Sequence, residues 1–230
     1  MVEKRSPGRI PKAPGRRRRA PGRPVAGASP DPRDRLLDAA LACYVRRGIA
    51  ATSVRDIADE ADVTPALVHY YHGDAAQLRE AVIEQRLVPA VAVLAEGVMK
   101  ADVDDPAALV GAFVNGAFAA IQRHPWLPAL WVREVVSEGG ALRDLLVNRF
   151  APGVAQHIAK GFAHAQARGR LNPDLDPRVL MVSLVGLTLF PAAGAPIWRQ
   201  LFDADDLDLD DLRRHALALL DRGLELDDET

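Results

Sequence analysis

Cysteine is all but absent. Cys43 stands alone among 230 residues, which excludes an intramolecular disulfide and any zinc site built from several thiolates. Long apolar runs are missing too. The longest, residues 179–191, is broken by Ser183, Gly186 and Thr188, and it falls short of the ~20 residues that a membrane span needs. No His, Glu and Cys recur at metal-ligand spacing, and there is neither a glycine-rich phosphate loop nor a nucleophile motif. The chain therefore does not read as an enzyme and implies no metal or cofactor. No stretch alternates with period two for long enough to suggest a sheet. The N-terminus lacks the apolar core of a secretory signal, since only "APGRPVAGASP" follows its arginines. Together these absences point to a soluble protein of a reducing cytoplasm.

What charge there is lies unevenly. The net charge is −2, yet residues 1–30 hold nine Lys and Arg against one Glu, so the remaining 200 sum to −10. That pattern is a basic arm on a mildly acidic body. The arm is Pro, Gly, Arg and Ala with almost no large apolar side chain. It cannot bury enough surface to offset its ordering entropy and is expected to be disordered alone. It reads either as a solvated leader or as a DNA-contacting arm, with Arg16, Arg17, Arg18 and Arg19 as its densest charge.

From Asp31 onward helical spacing takes over. Ser29 or Asp31 can cap a first helix with Pro32 in its first turn. Leu36, Leu37, Ala40, Leu41, Tyr44 and Val45 then share a face, and Gly48 ends it. Thr52 or Ser53 caps a second helix carrying Val54, Ile57, Ala58 and Ala61 inward. "DV" turns the chain. Thr64 and Pro65 open a short third helix whose Leu67, Val68 and Tyr71 pack backward while Thr64, Pro65, Ala66, His69 and Tyr70 face outward. Asp74 caps a long helix, residues 74–100, which Pro89 is expected to kink or end. Three helices in about forty residues, the last two joined by a tight turn, outline a helix-turn-helix. Residues 31–78 form that unit, and residues 101–230 form a larger helical body.

The stretch "LLDAALACYVRRGIAATSVRDIADEADVTPALVHYYHGDAAQL" resembles the DNA-binding domain of the TetR/AcrR family of bacterial transcriptional regulators. The likeness lies in the order and spacing of "AALACYVRRGIAATSVRDIA", the "A-x-V-T" at Ala61 to Thr64, and the tyrosine-rich end of the third helix. It departs from the family at three positions. Asp62 stands where Gly usually makes the turn, His72 where Phe often packs the third helix on the fourth, and Ala75 where Lys often touches phosphate. The resemblance implies an all-α fold: a helix-turn-helix domain plus a larger ligand-binding and dimerisation domain. It implies a homodimeric regulator of a near-palindromic operator, a repressor released by a small, mostly apolar ligand.

On that reading Tyr70, Tyr71, Thr64 and His69 hydrogen-bond phosphates, and Pro65 and Ala66 meet a thymine methyl. Thr52, Ser53 and Arg55 supply a second phosphate site at the second helix's N-terminus. The third helix itself holds no Lys or Arg, so the missing positive charge is expected from the arm. His72, Ala75 and the uncharged third helix favour the alternative, a helical small-molecule or protein-binding module without sequence-specific DNA binding.

The body offers less. Residues 179–189 are apolar nearly all round, and Leu212, His215, Ala216, Leu219, Leu220 and Leu224 make a stripe on the last helix. Both either complete the monomer core or form a four-helix dimer interface, with Leu184, Val185, Leu212, His215, Ala216 and Leu219 as the interface residues. Phe113, Trp131, Phe150, His157, Phe162 and Met181 are candidates for an effector pocket, against the plainer reading that most are core. Arg133 and Glu134 read as a solvated face, Cys43 as a small core residue, and residues 189–202 as loop-like.

Overall fold

The computed structural model describes residues 31–224, and these fold as helices with no strand among them. Helix α1, Pro32–Arg47, opens on proline, whose missing N–H costs nothing in a first turn. It buries Leu36, Leu37, Ala40, Leu41 and Tyr44. It stops at Gly48, whose φ of 91° carries the chain into a region that a Cβ disfavours. Helix α2, Val54–Glu60, is fastened by a capping box. The Asp56 amide donates to Ser53 Oγ, and the Ser53 amide donates to the Asp56 carboxylate. Asp62 then takes the left-handed conformation, φ 54°, that the turn requires. A short polar side chain tolerates it better than most.

Helix α3, Pro65–His72, follows with Thr64 at the cap position. Contrary to expectation the Thr64 side chain makes no capping bond. The start of this helix rests on the fixed φ of Pro65 instead. Asp74 and Gln77 form a second capping box for α4, which runs Ala75–Val82, passes through a π-helical turn at Ile83–Leu87, and continues as Val88–Lys100. Pro89 was expected to bend or stop this helix, and it does not stop it. The carbonyl of Gln85, which an amide four residues on would have taken, accepts instead from Arg86 Nη1 at 3.2 Å. The π-helical turn just before absorbs the ring.

Four more helices and two composites complete the described part of the body. They are α5 (Pro106–Arg123), α6 (Leu127–Trp131 with a π-helical turn Val132–Val136), and α7 (Arg143–Leu145, a π-helical turn Leu146–Phe150, then Ala151–Ala167). After these come α8 (Pro177–Ala193), α9 (Ala195–Phe202) and α10 (Leu209–Leu224). The loop expected at residues 189–202 is therefore mostly helix. Pro196 lies in the first turn of α9, where a missing N–H is cheap, whereas Pro191 lies inside the last turn of α8 and forgoes the bond to the Leu187 carbonyl. Trp198 Nε1 closes the corner by donating to the Pro191 carbonyl at 2.8 Å.

The buried side chains form two clusters. One joins α1, α2, α3 and the first turns of α4, and it extends to Leu130 and Leu142 of the body. The other joins α5, α7, α8 and α10 with the far end of α4 at Val98. No single helix among the described residues is long and apolar enough to cross a membrane; α8 and α9 reach that length and hydropathy only as a pair bent by 70°.

Candidate nucleic-acid interface and apolar cavity

Helix α3 is anchored by one fully buried side chain, Val68, with Leu67 and Tyr71 half-buried behind it. Thr64, Pro65, Ala66, His69 and Tyr70 face outward. Tyr70 is 79% exposed, far more than a large aromatic needs to be. Its ring stands edge-on to Tyr71 at 5.2 Å, which stiffens it while leaving its hydroxyl accessible. His69 turns back: its Nδ1 lies 2.7 Å from the Gly73 carbonyl and secures the end of α3. His72 reaches the Arg33 carbonyl through Nε2 at 3.3 Å, so it ties α3 to the start of α1.

The second expected phosphate site is differently furnished. The Thr52 hydroxyl donates to the Gly48 carbonyl at 2.7 Å, and Ser53 Oγ donates to Asp56 Oδ2 at 2.6 Å. Both protons are committed inside the protein. Bonds from Ser53 hold the Asp56 carboxyl down at about 2, and Arg47 pairs with it. A carboxylate thus already sits where a phosphate was expected, leaving Arg55 as the exposed cation there. Arg16, Arg17, Arg18 and Arg19 lie outside the described residues.

The body contains a cavity of about 410 Å³ between α4, α5, α6, α7 and α8. Phe113, Trp131, Phe150 and Met181 line it. His157 does not, and Phe162 is sealed in the adjoining core. The walls are aliphatic and aromatic except for Thr188, whose hydroxyl donates to the Leu184 carbonyl at 2.8 Å and keeps only acceptor capacity. All three π-helical turns reach the cavity, through Ile83 and Leu87, through Val135, and through Leu146 and Phe150. Such turns widen a helix and recur at functional sites. Sequence periodicity missed the α4 wall because one buried helical face looks the same whether it meets a core or a cavity.

The helices nominated for dimerisation divide their residues. Leu184 and Ala216 are 0% and 1% exposed within the single chain, so they belong to its own core and cannot meet a second copy. Val185 faces the cavity. Leu219 and His215 do face outward, with Leu212 half-buried. The apolar surface on these elements lies instead at Val179, Val182 and Phe190 of α8 and at Ile197, Leu201 and Phe202 of α9. Arg133 is solvated as expected, but Glu134 beside it is buried at 4% exposure.

Comparison with known proteins agrees with this arrangement. Residues 36–82 match the model for bacterial regulatory proteins of the tetR family, and residues 106–221 match the tetracyclin repressor-like C-terminal domain. The HTH-type transcriptional regulator BetI of Rhizobium meliloti (strain 1021) is 36% identical over 109 residues, 47% of this chain and 53% of that relative. The chain thus spans about half the length of the curated relative it matches. Among solved structures, the ketosteroid transcriptional regulator KstR2 of Mycobacterium tuberculosis superposes with TM-score 0.64 at 19% identity, over 89% of this chain and all of that one. The fatty acid degradation regulator FadR from Bacillus halodurans gives 0.59 at 18% identity, covering 84% and 96%.

Proposed function

The chain belongs to the TetR family of bacterial transcriptional regulators, and from that premise we propose that it acts in the cytoplasm as a homodimeric repressor of a near-palindromic operator, released by a small apolar ligand. The observation that carries this reading is the run of α4. Its capping box stands one residue beyond α3, while Ile83, Leu87, Val91 and Leu94 further along it wall the cavity. A molecule seated against those side chains presses on the helix whose other end carries the groove-facing one. Two copies would set their α3 helices about 34–36 Å apart, one turn of duplex DNA. Tyr70 and Thr64 offer hydroxyls to phosphates, Pro65 and Ala66 an apolar edge to thymine, and the basic arm the charge that α3 lacks.

The lining also narrows the ligand. About 410 Å³ of apolar wall, with Thr188 as its one polar side chain and no cation, suits an uncharged, largely hydrocarbon molecule. A carboxylate or phosphate there would be desolvated without a partner. The fluorescent, uncharged N-phenyl-1-naphthylamine is therefore expected to bind one per chain with a rise in emission. Replacing wall residue Ala155 with Trp should weaken its uptake at least ~10-fold by filling the space it needs. Unchanged uptake by that variant counts against the cavity as the ligand site.

A further inference from the structure

Glu134 was read from sequence as solvated, yet it is among the most buried polar side chains described. It sits in the π-helical turn of α6. Each oxygen of its carboxyl group accepts from a main-chain amide. The Ile49 amide donates to Oε1 at 2.9 Å, across 85 residues of sequence, and the Ala141 amide donates to Oε2 at 3.1 Å. Its own carbonyl accepts from Leu142 at 3.0 Å. Two glycines make the room. A Cβ on Gly48 would stand 3.0 Å from Oε1, and one on Gly140 would stand 2.3 Å from the Glu134 carbonyl oxygen. The site is thus built from both halves of the molecule around one side chain.

The position of Ile49 gives this bond its reach. Gly48 and Ile49 are the first residues after α1, in the loop that leads to the Ser53 cap of α2. Thr52 spans the same loop by donating to the Gly48 carbonyl. In the same stretch of α6, Trp131 and Val135, the latter next to Glu134, line the cavity. One helical turn therefore holds the cavity wall with one residue and the helix-turn-helix with its neighbour. A π-helical turn can revert to α-helical pairing by a one-residue change of register. Such a change turns every later side chain by about 100° and withdraws the Glu134 carboxyl from Ile49.

We propose that Glu134 is a positioning residue for DNA binding: it fastens the α1–α2 loop to the cavity wall, so that a ligand displacing α6 frees the helix-turn-helix. This rests on the reading of the cavity as the ligand site. It adds a second route of coupling, through α6 and Ile49, to the one along α4.

The test uses the full chain, DNA flanking its own gene, and N-phenyl-1-naphthylamine as the cavity probe. Amide hydrogen exchange at Ile49 and Ala141 is followed with and without saturating dye, and DNA affinity is measured in parallel. In the wild type the dye is expected to speed exchange at Ile49 at least tenfold and to weaken DNA binding at least ~5-fold, the low end of ordinary coupling between sites. In Glu134→Ala and in the more conservative Glu134→Gln, Ile49 should exchange fast without dye. Dye affinity should rise, by up to the factor by which dye opens the latch, since the two couplings are reciprocal, and the dye's effect on DNA binding should fall below twofold. The exposed neighbour variant Glu138→Gln should behave as wild type. Ile49 exchange unmoved by bound dye, or either Glu134 variant keeping the full dye effect on DNA, overturns the latch. Failure of the dye to bind at all overturns the cavity reading, and the latch with it.

Discussion

Deleting residues 1–28 removes all nine Lys and Arg of the basic segment and is expected to weaken DNA binding by orders of magnitude while flattening its salt dependence. The argument is one of supply. Helix α3 carries no Lys or Arg, and Ala75 occupies the first position of α4 where a cation would sit close to the backbone. Asp56 fills the N-terminus of α2, and its pairing with Arg47 consumes a further cation. What the helix-turn-helix holds besides is a few scattered arginines, Arg55 on α2 and Arg33 and Arg35 on α1, and a set of hydroxyls, which orient the protein without releasing counterions. Each phosphate neutralised contributes ~0.9 to the slope of log affinity against log salt, so loss of four arginine contacts lowers that slope by ~3.6 per chain. Truncated and full chains titrated with one duplex from 50 to 200 mM salt give the answer. An equal slope in both assigns the charge elsewhere.

Breaking the dimer should cost as much. Phe190 and Ile197 are 71% and 73% exposed on α8 and α9, and neither the helix-turn-helix nor the cavity uses them. Changing both to Asp places carboxylates in a face that a second copy must desolvate. Sedimentation should then report a monomer. Affinity for a two-half-site duplex should fall by ~10²–10⁴, because the second helix no longer binds as an intramolecular event. Affinity for a single half-site should be little changed. Val147→Asp, at an exposed apolar residue of α7, is the control and should remain dimeric. A double variant that stays dimeric moves the interface off α8 and α9.

Local signals were legible and distant ones were not. Pro32, Gly48, Ser53, Pro65 and Asp74 mark helix ends by chemistry that acts within four residues: the starts of α1 to α4 and the end of α1 lie at them. Pro89 misled because the adjacent π-helical turn and the Arg86 side chain take up what its ring disrupts, and Pro191 because the helix runs only two residues past it, to Ala193. Leu184 and Ala216 show the limit of periodicity. A stripe reveals that a face is buried, not whether its own chain or another buries it. Glu134 was hidden for a similar reason. Beside Arg133 it looks like an exposed charged pair, and nothing near it in sequence announces the Ile49 amide it serves. The cavity was half visible. Phe113, Trp131, Phe150 and Met181 stood out by size, whereas the small residues that leave the space, such as Ala117 and Ala155, do not advertise a void.

The central claim is that the exposed face of α3 reads DNA sequence in pairs, with Pro65 and Ala66 against base edges and Tyr70 fixing the register on the phosphates. Competition at 150 mM salt between the duplex flanking the chain's own gene and a scrambled duplex of equal length tests it most directly. Two chains per site and a preference of at least ~10³ for the native sequence are predicted, with Tyr70→Ala losing most of the affinity. Equal and salt-fragile binding to both duplexes, untouched by Tyr70→Ala, would contradict it.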